Sequence, residues 1–408
     1  MDKNKMSIED QVALLMQGTE YGDEELKKTM ARELKERLLE ADKEGRPLRV
    51  YCGFDPRTSD LHLGHTVPMR KLRQFQELGH EVTFVVGSFT SLIGDPSDKD
   101  KLRPRLTPEE VEVNARTYAE QAYKILDRER TRIRFNAEWL SELSFAELIE
   151  LASNFTLQQF ITRENFRKRW DNGDPIYLHE TFYSIMQGYD AHALNTDIQV
   201  GGTDQLFNIV TAARKIMTAL GDKPNIAIIL GILPGTDGEI KMSKSLGNHI
   251  PLLSTPEDMY GKVMSVPDKA MGLFMRLVTR WTPDAIARID ADLKSGAVHP
   301  RDVKMSLARE IVAIYHDEGS AQAAEENFKR IFQQKDVPDE MPDFALASGQ
   351  TVIDVLVAAG LVASKSEGRR LVEQKGVKLD GEVLEKFDAV FPHPGVLQVG
   401  KRRFVRVK

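Results

Sequence analysis

Several features are scarce or missing in this 408-residue chain. It has a single cysteine, Cys52, which excludes an internal disulfide framework and a multi-cysteine zinc site. No run approaches the roughly 18 uninterrupted apolar residues of a membrane span, and no apolar signal core follows the polar N-terminus. A G-x-G dinucleotide fingerprint and a G-x-S-x-G nucleophile elbow are also absent. We therefore expect a soluble cytoplasmic protein that is neither a dinucleotide-dependent enzyme nor an α/β hydrolase.

The composition is that of a folded protein with an uneven distribution of charge. Hydrophobic residues make up 41% and charged residues 29%, so packed cores are expected in two or three domains. The net charge is 56 − 62 = −6, but residues 345–408 carry eleven Lys and Arg against seven Asp and Glu, or +4. A basic C-terminal module indicates contact with a polyanion, although a basic tail that only aids solubility explains the charge equally well.

The order of the patterns predicts an α/β fold. A strand at 48–54, a helix at 66–78 and a strand at 82–86 form a βαβ unit, which indicates a parallel sheet. A charged helix precedes this unit at 23–41. Helical patterns dominate residues 107–190 and 255–332, and an apolar strand lies at 226–230. After a Pro-broken stretch, two short helices (352–359 and 366–374) and strand-like pieces form a small mixed module.

The densest cluster of chemically useful residues lies where the first strand gives way to a helix, at 51–56 and 60–65. Ligands bind outside the carboxyl ends of strands in such sheets, and a helix N-terminus there favours phosphate. His62 and His65 are one helical turn apart and are expected to face the same anion, while Gly64 lets a nucleotide approach the backbone. A metal site is disfavoured because no third ligand has suitable spacing.

Two further clusters have the composition of phosphate and ribose sites. Lys241, Met242, Ser243 and Lys244 follow a Gly-flanked turn and predict a mobile cationic clamp for pyrophosphate, although a solvated charged loop is the simpler explanation of that run alone. In the Gly-Gly segment 200–205, Asp204 has the chemistry to accept hydrogen bonds from a ribose diol.

The two motifs at 62–65 and 241–245, in this order, resemble the signature pair of class I aminoacyl-tRNA synthetases. The surrounding residues are similar to those of bacterial-type tyrosyl-tRNA synthetases from about Tyr51 to the C-terminus. The resemblance implies a Rossmann-like parallel-sheet catalytic domain (1–250) with a helical insertion at about 107–190. A helical domain (251–337), a linker (338–347) and a small α+β S4-like RNA-binding domain (348–408) are expected to follow.

The resemblance also implies roles for individual residues. Tyr51 and Asp190 match the pair that hydrogen-bonds the substrate phenol, and the other tyrosine-binding positions match Thr90, Asp95, Tyr183, Gln187 and Gln205. Of these, Asp95, Tyr183 and Gln187 correspond to the ammonium-binding group. ATP or the adenylate is expected at Gly53, Asp55, His62, Gly64, His65, Asp204, Lys241, Met242, Ser243 and Lys244. His62, His65, Lys241 and Lys244 are the expected catalytic residues, with Mg²⁺ accompanying ATP and no protein-bound metal.

One position departs from the family, because Arg57 stands where a threonine is often found, with Thr58 next to it.

The implied macromolecular partners are tRNA(Tyr) and a second copy of the chain. Candidate tRNA contacts are Arg163, Arg167, Lys168 and Arg169 in one basic run, and Lys365, Arg369 and Arg370 in the C-terminal module; a solvated helix face explains the first run almost as well. The apolar residues Phe155, Leu157, Phe160 and Phe166 are candidates for a homodimer interface or for core packing. Tryptophanyl-tRNA synthetase, a nucleotidylyltransferase with a similar histidine motif and a non-catalytic RNA-binding paralogue remain alternative functions.

Overall fold

The computed structural model describes residues 6–56, 61–96, 107–332, 341–347, 349–400 and 403–408. These residues form two compact units, which divide between Ala321 and Gln322. The first unit contains most of both segments that the sequence assigns to a catalytic and a helical domain, so the boundary at residue 250 remains a proposal. Arg57 and Thr58 lie outside the described residues.

A five-stranded sheet forms the centre of the first unit. Its strands are β1 (Arg49–Phe54), β2 (Glu81–Val86), β3 (Thr131–Phe135), β4 (Ile198–Gly202) and β5 (Ile226–Leu230). They lie in the order β3-β2-β1-β4-β5, and every pair of neighbours is parallel. The predicted parallel α/β sheet is therefore confirmed. The chain leaves β1 for β2 on one side and later returns to β4 on the other, which creates a crevice at the carboxyl ends of β1 and β4.

Two of these strands differ from the sequence expectation. β3 lies inside the segment for which helical patterns dominate, and β4 includes the two glycines of the cluster at 200–205. β3 is an edge strand with no buried residue, so it lacks the apolar run by which β1, β2 and β5 were found. β4 ends in two glycines, which weaken its strand signal.

Helices cover the sheet and extend the first unit. They are α1 (Ile8–Met16), α2 (Glu24–Glu44), α3 (Leu63–Glu77), α4 (Pro108–Ala122), α5 (Ala137–Leu140), α6 (Phe145–Ala152), α7 (Leu157–Ile161), α8 (Glu164–Asn172), α9 (Leu178–Ala193), α10 (Arg214–Ala219), α11 (Pro256–Ser265), α12 (Asp268–Val278), α13 (Pro283–Ser295), α14 (Pro300–Tyr315) and α15 (Glu318–Phe332), the last of which passes the boundary at residue 321. The charged helix predicted at 23–41 is confirmed as α2, which Asp23 caps and Gly45 ends with a φ of 64°.

The second unit contains a small mixed fold. Its two predicted helices are confirmed as α16 (Val352–Ala358) and α17 (Lys365–Glu373). They accompany a sheet in the order β6-β10-β9-β7-β8, with β6 (Asp343–Phe344), β7 (Val377–Leu379), β8 (Glu382–Val383), β9 (Gly395–Val399) and β10 (Arg403–Val407). β6 lies within the predicted linker and pairs in parallel with β10, so that part of the linker belongs to the fold. Within the described ranges, none of the helices is long and apolar enough to cross a membrane.

Candidate active site

A cleft of about 980 Å³ opens at the carboxyl ends of β1, β4 and β5 and at the start of α3. All the residues predicted for ATP line this cleft, and so do all those predicted for tyrosine except Tyr51. The fold therefore brings together side chains that are up to about 190 residues apart in the sequence, because parallel strands end at one edge of the sheet.

Backbone hydrogen bonds join the histidine turn to the segment that follows the lysine loop. The amide of Leu63 donates to the carbonyl of Ile250 at 2.9 Å, and the amide of Leu252 donates to the carbonyl of Leu61 at 2.9 Å. Gly64 lies at the contact, since a Cβ there would be 3.1 Å from the His62 ring and 3.5 Å from Met242 Cβ. The two predicted motifs thus form one structural unit at the mouth of the cleft.

The two histidines cap α3 and are held in the neutral form. The amide of Gly64 donates to His62 Nδ1 at 3.2 Å, and the amide of His62 donates to His65 Nδ1 at 3.2 Å. Burial lowers the pKa of His62 to about 3 and that of His65 to about 4, with Lys241 adding to both shifts. Because each Nδ1 accepts, each Nε2 carries the proton. The histidines are therefore neutral hydrogen-bond donors toward a phosphate rather than cations.

The lysine loop is anchored at two points, with its cations at the cleft. Met242 is buried, and its amide donates to the carbonyl of Leu233 at 3.1 Å. Asn248 Oδ1 accepts from the amide of Ser243 at 2.8 Å. Lys241 Nζ donates to Asp204 Oδ2 at 3.2 Å with its side chain half exposed, and Lys244 is exposed. Two cations thus lie on a loop whose backbone is held near the histidines.

A hydrogen-bonded network forms the inner end of the cleft. Asp55 accepts from the hydroxyl of Thr90 at 2.9 Å and from that of Tyr183 at 3.1 Å. Asn136 Nδ2 donates to Thr90 Oγ1 at 3.1 Å and to Asp190 Oδ2 at 3.3 Å. Asp55, which is expected to contact ATP, therefore accepts hydrogen bonds from two residues that are expected to bind tyrosine.

Asp190 is a buried carboxylate with its own protein partners. Trp139 Nε1 donates to Asp190 Oδ1 at 2.7 Å, in addition to the bond from Asn136. Burial raises the pKa of Asp190 to about 7 despite these two donors. An acceptor of this kind at the end of a cleft fits a hydroxyl donor such as a phenol.

The two members of the expected phenol-binding pair differ in position, because Asp190 lines the cleft and Tyr51 does not. Tyr51 is almost fully buried among Val85, Ala191 and Met217, and its hydroxyl donates to the carbonyl of Gln187 at 3.3 Å. Tyr51 is thus a core side chain, and its hydroxyl, like the carboxylate of Asp190, has a hydrogen-bond partner within the protein.

Two residues of the network, Asn136 and Trp139, were not predicted. They follow β3 and lie three residues apart at the start of α5. The signal was present as an Asn and a Trp spaced to share a face, but its meaning depended on β3, which the sequence patterns did not reveal. Once β3 is placed in the sheet, its carboxyl end points to this edge.

The candidate tRNA contacts fall into exposed and buried groups. Arg163 and Arg169 are 7% and 3% exposed, and Arg169 forms an ion pair with the equally buried Glu180 at 2.8 Å. These two arginines are corrected to interior residues, because a buried guanidinium with internal partners is not available to a phosphate. Exposed side chains remain at the other candidate positions, namely Arg167, Lys168, Lys365, Arg369 and Arg370.

Comparison with known proteins defines the class to which this fold and site belong. Residues 43–333 match the family described as class I tRNA synthetases (W and Y), and residues 352–386 match the S4 domain. A C-terminally truncated mitochondrial tyrosyl-tRNA synthetase from Aspergillus nidulans has a similar fold, with a TM-score of 0.62 at 22% identity, over 79% of this chain and 94% of that one. The chain belongs to the class I aminoacyl-tRNA synthetases.

Sequence relatives narrow this assignment. The tyrosine–tRNA ligase of Thermotoga maritima is 47% identical over 374 residues, which cover 91% of this chain and 93% of the relative. That of Haemophilus influenzae is 48% identical over 372 residues, covering 91% and 92%. Within its class, the chain belongs to the tyrosine–tRNA ligase family, which confirms the resemblance that the two motifs indicated.

Proposed function

We propose that the chain activates L-tyrosine with ATP to tyrosyl-adenylate and pyrophosphate, and then transfers tyrosine to the 3′ end of tRNA(Tyr). The observation that carries this proposal is one cleft with the joined histidine and lysine motifs at its mouth and the buried Asp190 at its inner end. This arrangement provides for a triphosphate on one side and a phenol on the other. Family membership supports the same reaction.

The substrates supply the reacting groups in this proposal. The tyrosine carboxylate attacks the α-phosphate in line, pyrophosphate leaves, and a terminal tRNA hydroxyl later takes the tyrosyl group. The protein aligns the reactants and stabilises the charge that develops. The Nε2–H groups of His62 and His65 donate to phosphate oxygens, and Lys241 and Lys244 neutralise the departing pyrophosphate.

The remaining cleft residues hold the two substrates in place. A Cβ on Gly53 would meet no atom within 4 Å, which fits a position where the backbone faces ligand space. Asp204 is assigned to the ribose, and Asp190 accepts the phenol hydroxyl. Asp95, Tyr183 and Gln187 surround the ammonium group.

Mg²⁺ enters this scheme as the counter-ion of ATP. In the part of the chain that the structure describes, no three His, Cys, Asp or Glu side chains are grouped as metal ligands. We assign the metal to the substrate, with phosphate and water as its main ligands, as is common for Mg²⁺.

Pyrophosphate exchange tests the amino-acid assignment directly. The chain should catalyse exchange of labelled pyrophosphate into ATP with tyrosine, and not with tryptophan or phenylalanine at equal concentration. Exchange with tryptophan alone would favour the tryptophanyl alternative. No exchange with any amino acid would favour a non-catalytic RNA-binding protein.

The second unit is proposed to bind tRNA through α17. Lys365, Arg369 and Arg370 are exposed there, and Arg369 lies 4.9 Å from the Phe387 ring. Replacing the three by Ala in the full chain should leave pyrophosphate exchange intact and weaken tRNA binding. The slope of log affinity against log salt should fall by about one for each phosphate contact that is lost. Unchanged tRNA affinity would remove this surface from the mechanism.

A homodimer is proposed from an exposed apolar surface. Phe160 and Phe166 are buried and thus belong to the core, whereas Leu157 is exposed. Further large hydrophobic residues in the same part of the sequence are exposed, namely Phe145, Ile149, Trp170, Tyr177 and Leu178. Sedimentation should give a dimer, and Leu157→Asp with Leu178→Asp should shift it toward the monomer. A monomeric wild-type protein would contradict this part of the proposal.

A further inference from the structure

Arg163 begins a series of four side-chain hydrogen bonds that is buried at its start and ends in the cleft. Arg163 Nη1 donates to Ser184 Oγ at 2.8 Å, and Ser184 Oγ donates to Asn208 Oδ1 at 2.7 Å. Asn208 Nδ2 then donates to Gln205 Oε1 at 2.9 Å, and Gln205 Nε2 donates to Asp95 Oδ2 at 2.6 Å. Only the last two side chains line the cleft, so the first three act from behind it.

The direction of this chain is fixed at both ends. A guanidinium has donors and no acceptor, while a carboxylate has acceptors and no donor. Ser184 Oγ must therefore accept a hydrogen bond from Arg163 and donate its own hydroxyl hydrogen bond to Asn208 Oδ1. The two amides between them are then oriented so that each presents its oxygen toward Arg163 and its NH₂ toward Asp95.

The order matters because a carboxamide can rotate and exchange its oxygen for its nitrogen. Without Arg163, Ser184 loses the donor that fixes its direction, which weakens its hold on Asn208 Oδ1 and, through Asn208, the hold on Gln205 with its NH₂ toward Asp95. A reversed Gln205 would place its carbonyl oxygen against the Asp95 carboxylate, and their like partial charges would displace Asp95.

The packing around the first three side chains favours a fixed arrangement. Ser184 and Asn208 have no exposed surface. The Arg163 guanidinium lies over the rings of Phe166 and Phe207, 5.0 and 5.1 Å from their centroids. Asn208 belongs to a π-helical turn (Phe207–Ala213), an irregularity that is frequent at functional sites.

We infer that Arg163 is a positioning residue for substrate tyrosine, acting through Ser184, Asn208 and Gln205 to orient Asp95 toward the α-ammonium group. The inference rests on the proposed function, in which Asp95 receives that group. It gives the buried arginine of the basic run a role in amino-acid recognition instead of tRNA binding.

The test compares two ligands in the absence of tRNA. One is L-tyrosine, measured by its KM in pyrophosphate exchange. The other is 3-(4-hydroxyphenyl)propanoate, which lacks the ammonium group and is measured by its inhibition constant. Arg163→Met should raise the KM for tyrosine about tenfold, and Ser184→Ala about three- to tenfold, as expected for loss of one or two hydrogen bonds. The inhibition constant of the propanoate and the KM for ATP should stay unchanged.

Two further variants serve as controls. Arg163→Lys keeps a donor without an acceptor and should restore most of the tyrosine affinity. Thr181→Val removes another buried hydroxyl from α9, whose only described bond is to the carbonyl of Leu178 at 2.7 Å, and should leave the tyrosine KM unchanged.

Two results would overturn the inference. They are an unchanged tyrosine KM in the folded variants, and an equal rise in the KM for tyrosine and in the inhibition constant of the propanoate. If Arg163→Met does not fold, Ser184→Ala decides the outcome. Failure of the wild-type chain to exchange with tyrosine would refute the proposed function itself, and is thereby distinguished from failure of this inference.

Discussion

The two sides of the cleft are built differently. On the amino-acid side, Asp190 and Thr90 are buried and bonded to other side chains before any substrate is present. On the phosphate side, Lys241 and Lys244 lie on a loop at the mouth with much of their surface exposed. A preformed network suits selection of one amino-acid substrate. Its side chains hold one another in place, because a side chain that rotates loses the hydrogen bonds that it shares with its neighbours. Exposed cations suit a charge that appears only during reaction.

The largest effect that this comparison predicts is a lower rate of adenylate formation when either lysine of the loop is replaced. Lys241→Ala or Lys244→Ala should lower the rate of adenylate formation by about 10²-fold or more, as for loss of one donor to a transition-state anion. Tyrosine affinity should not change, since the network on the other side is untouched. Stopped-flow measurement of adenylate formation separates the rate from ATP affinity. Lys269→Ala, an exposed lysine outside the cleft lining, is the matched control.

A weaker ATP affinity with a normal rate in both lysine variants would contradict this division of the cleft. The lysines would then contribute to the affinity for bound ATP, as the preformed network contributes to the affinity for tyrosine.

The next effect concerns discrimination between tyrosine and phenylalanine. Asp190→Asn should lower the ratio of kcat/KM for tyrosine over phenylalanine by roughly 10- to 100-fold, since a charge-assisted acceptor is lost. The replacement also turns an NH₂ group toward Trp139 or Asn136, both of which are donors. Rejection of phenylalanine by about 10⁵ is known for tyrosyl-tRNA synthetases as a class, so a measurable range is available. An unaltered ratio would remove Asp190 from phenol recognition.

The dependence of substrate binding on pH should also differ between the two sides. Burial raises the pKa of Asp190 to about 7, so the ionised acceptor is depleted below neutrality. The dissociation constant for tyrosine should therefore rise about tenfold from about pH 8 to about pH 6. The KM for ATP should change little, because the pKa values of His62 and His65 are about 3 and 4. Asp190→Asn should abolish the pH dependence of tyrosine binding, and its persistence there would point to another group.

Ionisation of Asp190 also affects the stability of the fold, and it does so in the direction opposite to its effect on tyrosine binding. The folded pKa of Asp190 is raised above the usual 3.8. The stabilising contribution of protonated Asp190 to the free energy of unfolding is therefore fully present below about pH 4 and is lost as the pH rises through about 7. Thermal melting should show Asp190→Asn gaining stability relative to wild type as the pH rises from about 5 to about 8.

The smallest effect is expected at Tyr51. Its hydroxyl donates to the Gln187 carbonyl and does not line the cleft, so Tyr51→Phe should lower the tyrosine-to-phenylalanine ratio only a few-fold. The melting temperature should stay close to wild type because the ring remains packed. A loss as large as that of Asp190→Asn would mean that the hydroxyl moves into the cleft when tyrosine binds.

Local sequence determined much of the fold and most of the cleft. β1, β2 and β5 have apolar runs, and α2 has a capping Asp23 and a terminating Gly45, so each is specified by its own residues. His62, Gly64 and the lysine loop were found because their spacing is itself the chemical signal. The net positive charge of residues 345–408 was likewise evident from the sequence alone.

Tertiary structure decided the rest, because the relevant partners are far apart in the chain. Edge strand β3 is stabilised by pairing with β2 and not by burial of its own residues, and with it Asn136 and Trp139 reach Asp190. Arg163 and Arg167 look alike in a basic run, yet one is buried and the other exposed. Sequence gives a side chain its charge and hydrogen-bonding groups. Only the packing of α8 against α9 determines whether that charge meets solvent, a nucleic acid or an internal network.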